Sequence, residues 1–398
     1  MLGRAWQTTI VLLLVLLASA CAPHPVKPPV TSRTPSGTTP PPTSTPPTTP
    51  TPPTTPAPRL SARQLAGQRV IFGYRGLTPP PSLLAVISHG EAAGVIFFAD
   101  NIASRSQLRA VVRRLERANA SRDNPVRAPL LLMTDQEGGR VRRLPGAPLL
   151  SQRAIGDSVD PAAEAAKAGR EAGRNLRGVG LNVNLAPVLD VFRKQGNFDD
   201  RFGRAYSSDA HQVAVLGKDF IRAQQREGVA ATAKHFPGLG SAETTQNTDD
   251  GRVVLRTSRE SLASVDEVPF ESAISARVKL VMVSWAIYPA LDPALPAGLS
   301  STVVRGQLRE ALGFKGVTVS DGIQADALDT FGTIGHRAQL TAAAGIDLLI
   351  CAKSKSSVTV GLNATKGLED AYLDGRLDRR AFRAAAQRVI DLRESLRN

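Results

Sequence analysis

The chain has 398 residues, with 49 Lys and Arg against 35 Asp and Glu, and its formal net charge is +14 at pH 7. It has only two cysteines, Cys21 and Cys351, which excludes a disulfide framework or a Cys-rich metal site within a folded domain. The positive charge is spread over many presumed helices and forms no block, so we expect no nucleic-acid partner and only a general attraction to an anionic cell envelope.

Residues 1–20 have the composition of an export signal. Arg4 precedes an apolar run at residues 10–17, and small residues at 18–20 lead directly into Cys21. The run is shorter than the ~20 residues that a spanning helix needs. This order predicts a bacterial lipoprotein signal, with lipidated Cys21 anchoring the protein to the outer face of the cell membrane. The alternative is an ordinary signal peptide with an incidental cysteine, which predicts a secreted protein.

Residues 21–59 are nearly all Pro, Thr and Ser, as in PPPTSTPPTTPTPPTTP, and show no apolar periodicity. We expect a disordered linker, because this composition cannot build a core and favours extended chain at roughly 3.1 Å per residue. Such a linker could hold a domain up to about 100 Å from its anchor. The folded domain is therefore predicted at residues 60–398.

Eight short apolar runs, many of them β-branched, follow along this domain, and stretches with helical spacing separate them. One such stretch places Leu108, Val111, Val112 and Leu115 on one helix face. Alternation of strand and helix predicts a parallel sheet, and eight units favour a closed (β/α)8 barrel of the TIM type over an open doubly wound α/β sheet. Cys351 is expected to be a buried strand residue. The runs are 69–74, 94–99, 129–134, 181–186, 229–235, 278–284, 316–320 and 345–351.

Polar motifs follow the predicted strands at their C-terminal ends. TDQEGGRVRR follows the third run, DDRFGRAYS comes after the fourth, KHFPGLG ends the fifth and SDG ends the seventh. Chemistry in such barrels lies in the loops at this end. We therefore expect one mouth to collect Asp135, Asp190, Arg204, Lys234, His235, Asp249 and Asp321.

Carboxylates combined with Lys and Arg suit a hydroxyl-rich ligand, because charged groups form strong and directional hydrogen bonds to sugar hydroxyls. The five histidines are far apart and no calcium-type loop occurs, so we expect no metal and no cofactor. Glycoside cleavage needs two carboxyl groups, and Asp321 at a strand end before Gly322 is the candidate for the first. An aspartate at a strand end is also a common helix N-cap.

Three motifs, LMTDQEGGRVRRL, KHFPGLG and LREALGFKGVTVSDG, in this order and at these intervals, resemble the N-terminal barrel domain of glycoside hydrolase family 3. The resemblance covers roughly residues 62–395 and is specifically to single-domain β-N-acetylhexosaminidases that act on peptidoglycan fragments. It implies a retaining hydrolase with Asp321 as the nucleophile. It also implies that the sugar next to the cleaved bond is held by Asp135, Arg143, Arg204, Lys234 and His235.

Each of these five residues also has a structural interpretation. Asp135 could cap the following loop, Arg143 and Arg204 could be surface charges, and Lys234 with His235 could form a pair beneath the barrel rim.

The loop after KHFPG departs from the family pattern. Similar hexosaminidases have a further histidine and then an Asp-Ser-His triplet whose Asp-His pair donates the proton, whereas this chain has Leu239 and QNTDD. Asp249 is the candidate substitute, because burial or a neighbouring carboxylate can raise the pKa of a carboxylic acid. Asp250 and Glu243 are the next candidates for the acid. The alternative is that NTDD is an ordinary turn. Trp285, where a histidine is common, would offer an apolar face to a sugar or simply pack.

These observations lead to two hypotheses. The first is an exported, exo-acting retaining hydrolase that removes terminal β-linked N-acetylglucosamine, or a related β-sugar, from peptidoglycan-type glycans. The second is a glycan-binding lipoprotein that kept the sugar site and lost proton delivery, which the missing histidine motivates. In both, the partners are a cell-wall carbohydrate and the membrane that holds the lipid anchor, and we expect a monomer.

Overall fold

The computed structural model describes residues 60–352 and 358–397. The predicted export signal, the lipidation site at Cys21 and the linker lie outside the described residues, so all three stay predictions. Across the described ranges, no helix has both the length and the apolar character needed to cross a lipid bilayer.

Eight parallel strands form a closed barrel in chain order, and the first strand pairs with the last through Val70 and Leu349. Each strand lies beside its sequence neighbours, as expected when every crossover is a helical connection of the same hand. The strands are β1 (Val70–Phe72), β2 (Gly94–Ile96), β3 (Leu131–Thr134), β4 (Val183–Asn184), β5 (Ala230–Phe236), β6 (Leu280–Val283), β7 (Val317–Gly322) and β8 (Leu348–Cys351).

Helices surround the barrel and connect its strands. Short hairpins at Gln136–Gly138 with Val141–Arg142, and at Ile287–Tyr288 with Asp292–Pro296, lie outside it. The α-helices are α1 (Ala62–Gly67), α2 (Pro81–Ser88), α3 (Arg105–Asn119), α4 (Gln152–Gly156), α5 (Pro161–Arg177), α6 (Ala210–Arg226), α7 (Arg259–Ser261), α8 (Val268–Ser275), α9 (Ile334–Ala344), α10 (Val358–Leu373) and α11 (Arg379–Ser395). Segments Leu262–Asp266 and Thr302–Ala311 are π-helical, and Ala99–Asn101, Asp200–Phe202, Ala297–Leu299 and Asp326–Phe331 are 3₁₀ turns.

The α5 helix shows how local sequence positions these elements. Asp160 caps its N-terminus by accepting a hydrogen bond from Ala163 N, and Pro161 occupies the first turn, where no amide donor is lost. Small residues on its buried face let α6 approach closely. At Gly169 a Cβ atom would lie 2.3 Å from the carbonyl oxygen of Phe220, so only glycine fits.

The barrel interior is an apolar core that α11 closes at one end. Side chains such as Ile71, Met133 and Val319 pack together inside the strands, and Val389 and Leu392 from α11 join the same cluster. Because α11 lies at the N-terminal ends of the strands, the C-terminal end is the one left for a ligand site.

The predicted (β/α)8 barrel is confirmed, and each of the eight apolar runs overlaps one barrel strand. Six of the eight strands are shorter than the runs, most of all β4, which has two residues within the predicted 181–186. The exceptions are β5 and β7, which extend past their runs to Phe236 and Gly322. Apolar burial continues past the paired residues of the other six, and for that reason composition overestimates the length of most strands. Cys351 is buried in β8, as predicted.

Candidate active site

A cavity of about 820 Å³ opens at the C-terminal ends of the strands. The interior residues Leu185, Met282 and Ile350 form part of its floor, and loops after the strands form its walls. Its lining includes the residues that the sequence analysis named as nucleophile, first-choice acid and sugar-holding groups, namely Asp135, Arg143, Arg204, Lys234, His235, Asp249 and Asp321.

Lys234, near the end of β5, lies between two carboxylates. Its Nζ is 2.9 Å from Asp135 Oδ1 and 2.7 Å from Glu137 Oε1. Burial opposes ionisation of Asp135, but the charges of Lys234 and Arg143 outweigh it and lower the pKa of the carboxyl. Burial likewise disfavours the ammonium of Lys234, yet the two carboxylates outweigh it and raise its pKa. Lys234 and the two carboxylates of Asp135 and Glu137 are therefore charged at neutral pH.

Arg204 binds Glu137 through two parallel hydrogen bonds of 2.9 Å, from Nε to Oε2 and from Nη2 to Oε1. Its Nη1 donates to Asp199 Oδ1 at 3.2 Å. Burial raises the pKa of Glu137, but Arg204 and Lys234 reverse that effect and hold it well below its usual range. Asp199 is different, because burial and the neighbouring Asp190 raise its pKa to about 7 despite Arg204.

His235 is oriented by Asp190 from below. Its Nδ1 lies 2.7 Å from Asp190 Oδ2, and the other carboxylate oxygen accepts hydrogen bonds from the backbone amides of His235 and Leu239. Burial lowers the pKa of His235, but Asp190 more than compensates and raises it. Asp190 itself is fully buried and does not line the cavity, so its expected place in the mouth is wrong. The Asp190 carboxylate accepts hydrogen bonds from three protein donors, and these hold it beneath the surface of the cavity.

Asp321 is at the end of β7 and is partly exposed to the cavity. Its Oδ1 accepts a hydrogen bond of 2.7 Å from the amide of Gly322. The carbonyl oxygen of Gly322 in turn accepts a hydrogen bond of 3.0 Å from Trp285 Nε1. Trp285 is buried against Gly298 and does not line the cavity, so of its two interpretations the structure supports packing.

Asp249 is exposed in the loop after β5 and lines the same cavity. Two backbone hydrogen bonds connect this loop to the segment that follows β7, one of them from Ala327 N to the carbonyl oxygen of Thr248 at 3.2 Å. Asp250 also lines the cavity, whereas Glu243 does not. Leu239, at the position of the expected histidine, is buried at the cavity wall.

Arg143 has a buried Nε atom with no hydrogen-bond partner among the described residues. It lies 3.8 Å from Asp135 Oδ2, which is an ion pair without a hydrogen bond. A buried donor that lacks a partner costs free energy unless a ligand or water accepts from it. In this cavity the unsatisfied donor fits a bound polar ligand.

Glu137 is the main residue that the sequence analysis missed. It lies two positions after Asp135, and residues i and i+2 of extended chain share a face, so the DQE motif contained the signal. The rim residues Arg201, Phe198 and Phe202 were also missed. Arg201 lies 4.5 Å from the ring centre of Phe202 and 5.3 Å from that of Phe198, and only the folded loop reveals this cluster.

Asp190, Asp199 and His235 offer potential metal-ligand atoms within 4.8 Å of one another. Asp190 already accepts from His235 and from backbone amides, and Asp199 Oδ1 accepts from Arg204, whereas Asp199 Oδ2 has no hydrogen-bond partner among the described residues. A cation here would compete with a guanidinium. The donor set therefore fits a hydrogen-bonded network beneath the cavity better than a metal centre, and the expected absence of a metal stays a prediction.

Known proteins resemble this chain over most of its length. The model of the glycosyl hydrolase family 3 N terminal domain matches residues 74–392. An uncharacterized secreted glycosyl hydrolase of Arthroderma benhamiae is 41% identical over 337 residues, covering 83% of this chain and 93% of the relative. A beta-hexosaminidase of Pseudomonas aeruginosa is 32% identical over 289 residues, covering 71% and 82%.

Among solved structures, a glycoside hydrolase family 3 beta-N-acetylglucosaminidase from Paenibacillus sp. superposes with a TM-score of 0.79 at 33% identity. The superposition covers 85% of this chain, and the chain spans 63% of the length of that enzyme.

Proposed function

This chain belongs to glycosyl hydrolase family 3 and is a glycosidase of the β-N-acetylglucosaminidase type, and we propose that it is an exo-acting, retaining enzyme that releases terminal β-linked N-acetylglucosamine from peptidoglycan-type glycans. The observation that carries this proposal is that Asp321, Asp249 and the charged cluster around Lys234 line the same cavity. Its volume of about 820 Å³ is within the range of small-molecule sites, about 300–1,000 Å³.

In the proposed mechanism, Asp321 attacks the anomeric carbon and forms a covalent glycosyl-enzyme, while the leaving oxygen takes a proton from an acid at the cavity wall. Water then cleaves the glycosyl-enzyme, and the deprotonated acid accepts the proton of that water. The hydrogen bond from Gly322 holds the Asp321 carboxylate at the strand end. Asp249 is the proposed acid and base, because its loop lines the cavity beside the segment after β7.

The remaining charged residues are proposed to hold the terminal sugar. Asp135 and Lys234 are held by their ion pair, and Arg204 and His235 are held by the buried Glu137 and Asp190. The donors and acceptors of these groups therefore need little reordering when a sugar binds. The unsatisfied Nε of Arg143 adds a donor for a sugar hydroxyl or carbonyl oxygen.

The residues at the rim of the cavity suit a cell-wall aglycone. Phe198 and Phe202 present apolar rings near Arg201, and Arg140 lies 6.0 Å from the Phe202 ring centre. Apolar rings suit the faces of a sugar, and guanidinium groups bind carboxylates in a directional way. A neighbouring sugar that carries a carboxylate, as in peptidoglycan, would meet both kinds of group.

We further propose that the enzyme is exported and that Cys21 carries its lipid anchor. The charged, apolar and small-residue order of residues 1–20 supports this, as does the name of the Arthroderma relative as a secreted protein. Cys21→Ser should move the protein from the membrane fraction to the soluble fraction of a producing bacterium. Unchanged fractionation would contradict the anchor but not the hydrolase.

The proposed activity is tested with an aryl N-acetyl-β-glucosaminide and with chitobiose. We expect release of N-acetylglucosamine that initially has the β configuration, observed by proton NMR. The second candidate, a binding protein without turnover, is motivated by the absence of a histidine between His235 and His336. Saturable calorimetric binding of chitobiose with no monosaccharide released over days would favour that candidate and refute hydrolysis.

A further inference from the structure

A second cavity, of about 400 Å³, opens at the opposite end of the barrel from the candidate active site. Strand β8 shows the relation most clearly, since Ile346 before the strand lines this second cavity and Ala352 after it lines the first. Helix α11 and the π-helical segment Thr302–Ala311 contribute its walls. We call it the basic cavity, because its lining includes Arg69, Arg305, Arg309, Arg376 and Arg388.

The floor of the basic cavity has three guanidinium groups around one carboxylate. Asp347 is fully buried, and its two oxygens accept from Arg309 Nη2 at 2.5 Å and from Arg388 Nη2 at 2.8 Å. Arg69 is also buried, but its Nε donates to the neutral backbone oxygen of Asp347 at 3.1 Å, and its Nη2 donates to the carbonyl of Ile346. Backbone acceptors satisfy hydrogen bonds and supply no negative charge, so the floor has an excess of positive charge.

Burial and, to a lesser extent, the surrounding positive charge lower the pKa values of two of these groups. Burial, followed by the charges of Arg388 and Arg305, lowers the pKa of Arg69 to about 10 even though Asp347 opposes the change. Burial and the same two arginines also lower the pKa of Arg309. Both groups stay protonated at neutral pH, and both would be stabilised by an additional anion.

The rim contributes further arginines that are not paired with the carboxylate of the floor. Arg305 is exposed, and its Nη2 donates to the carbonyl of Ala343 at 3.0 Å. Arg376 is exposed and pairs with Asp374 at 2.9 Å. Glu310 and Asp378 also line the rim, but both are exposed, where water screens their charges.

We propose that the basic cavity binds a phosphate ester, with the phosphoryl group on the arginines and the attached polyol or sugar against the apolar wall. Guanidinium groups bind phosphate through paired, charge-assisted hydrogen bonds, and several of them converge here. Phe382 forms part of the apolar wall, with the Arg69 guanidinium carbon 4.5 Å from its ring centre. The volume exceeds that of a bare phosphate and admits a small attached group.

This site is separate from catalysis. The two cavities share no lining residue, so occupancy of the basic cavity would retain the enzyme near phosphate-bearing envelope components without contacting the substrate.

The test uses calorimetric titration of the full chain with inorganic phosphate and with glycerol phosphate at constant ionic strength. The variant Arg305→Gln with Arg376→Gln removes two exposed rim cations, and Arg222→Gln with Arg226→Gln removes two exposed cations from α6 as a matched control. We expect glycerol phosphate to bind the wild type, the rim variant to bind about tenfold or more weakly, and the control to bind like the wild type. Both variants should hydrolyse the aryl glycoside at the rate of the wild type.

Absence of binding by the wild type, or an equal loss in the control, would refute the site. A competition arm identifies the source of the phosphate. Displacement of glycerol phosphate by phosphatidylglycerol vesicles, but not by phosphatidylcholine vesicles, would indicate a lipid headgroup, and failure of both to displace it would indicate a soluble or polymeric ester. Binding to anionic vesicles alone, without binding of glycerol phosphate, would show surface attraction and overturn the proposal.

Discussion

The backbone amide of Asp326 donates a hydrogen bond to the carbonyl oxygen of Asp249 over 3.2 Å. The two residues belong to the loop after β5 and to the segment after β7, and Asp326 lies five residues beyond Asp321. This contact holds the proposed acid loop beside the strand end that presents the proposed nucleophile. The contact supports the roles proposed for both carboxylates, and substitution of each residue tests its role.

Asp321→Asn should lower kcat for an aryl N-acetylglucosaminide by roughly 10⁴-fold or more, because an amide cannot form the glycosyl-enzyme. Asp329→Asn, the same change at an exposed residue in the next turn, is the control and should retain activity. A 5-fluoro glycosyl fluoride should label the wild type on the peptide that contains Asp321, detected by mass spectrometry. A label on another carboxylate would remove the assignment.

Asp249→Ala should lower turnover by about 10²–10⁴-fold on substrates with poor leaving groups and far less on activated phenolates, which depart without protonation. The measurement is kcat/KM across a series of aryl glycosides of different leaving-group pKa. Asp250→Ala is the matched comparison, because both side chains line the cavity. A steeper dependence on leaving group in the Asp250 variant would transfer the acid role to that residue.

Glu137→Gln should reduce the free energy of unfolding by about 3–5 kcal/mol at pH 7, because Arg204 and Lys234 would lose a buried counter-charge. The pKa of Glu137 lies well below its ordinary value of 4.5, so its stabilisation is complete above about pH 4.5 and declines as the pH falls toward the folded-state pKa. Urea unfolding should therefore show the difference from the wild type shrinking in acid. Glu271→Gln, at an exposed site, should change stability little at any pH.

Asp199→Asn should flatten the pH dependence of stability between about pH 4 and 7. The pKa of Asp199 is raised from 3.8 to about 7, so the folded protein keeps a proton that the unfolded chain releases, and stability falls as the pH rises across this window. Asparagine keeps an acceptor for Arg204. Some slope should remain, because the pKa of Asp266 is also raised to about 7. Identical slopes in variant and wild type would contradict an ionisable, buried Asp199.

Trp285→Phe should cost about 1 kcal/mol of unfolding free energy through loss of the hydrogen bond to Gly322. Because Gly322 also donates to Asp321, we expect a lower kcat with KM nearly unchanged. Steady-state kinetics distinguishes this from direct stacking on the sugar. A large rise in KM at constant kcat would show that Trp285 contacts substrate.

The barrel and the end at which its polar residues converge were predictable because both depend on local pattern. Apolar runs alternated with helical spacing eight times, and polar motifs followed the C-terminal ends of the runs. Parallel strands in a closed barrel bring those ends together, so Asp135, Lys234 and Asp321 could be assigned to one cavity although 186 positions separate the first from the last (321 − 135). Strand bounds were less accurate, because burial and strand pairing end at different residues.

Sequence alone determined the type and order of the elements, the end of the barrel at which the polar motifs converge and the departure from the family at Leu239, since each depends on residue identity and spacing. Only the tertiary structure decided that Asp190 lies beneath His235, that Glu137 joins Lys234 to Arg204, that Trp285 packs behind Gly322, and that arginines from distant segments share a cavity at the far end. Charge pairing and burial depend on distances between residues remote in the chain, and those distances exist only after the barrel closes.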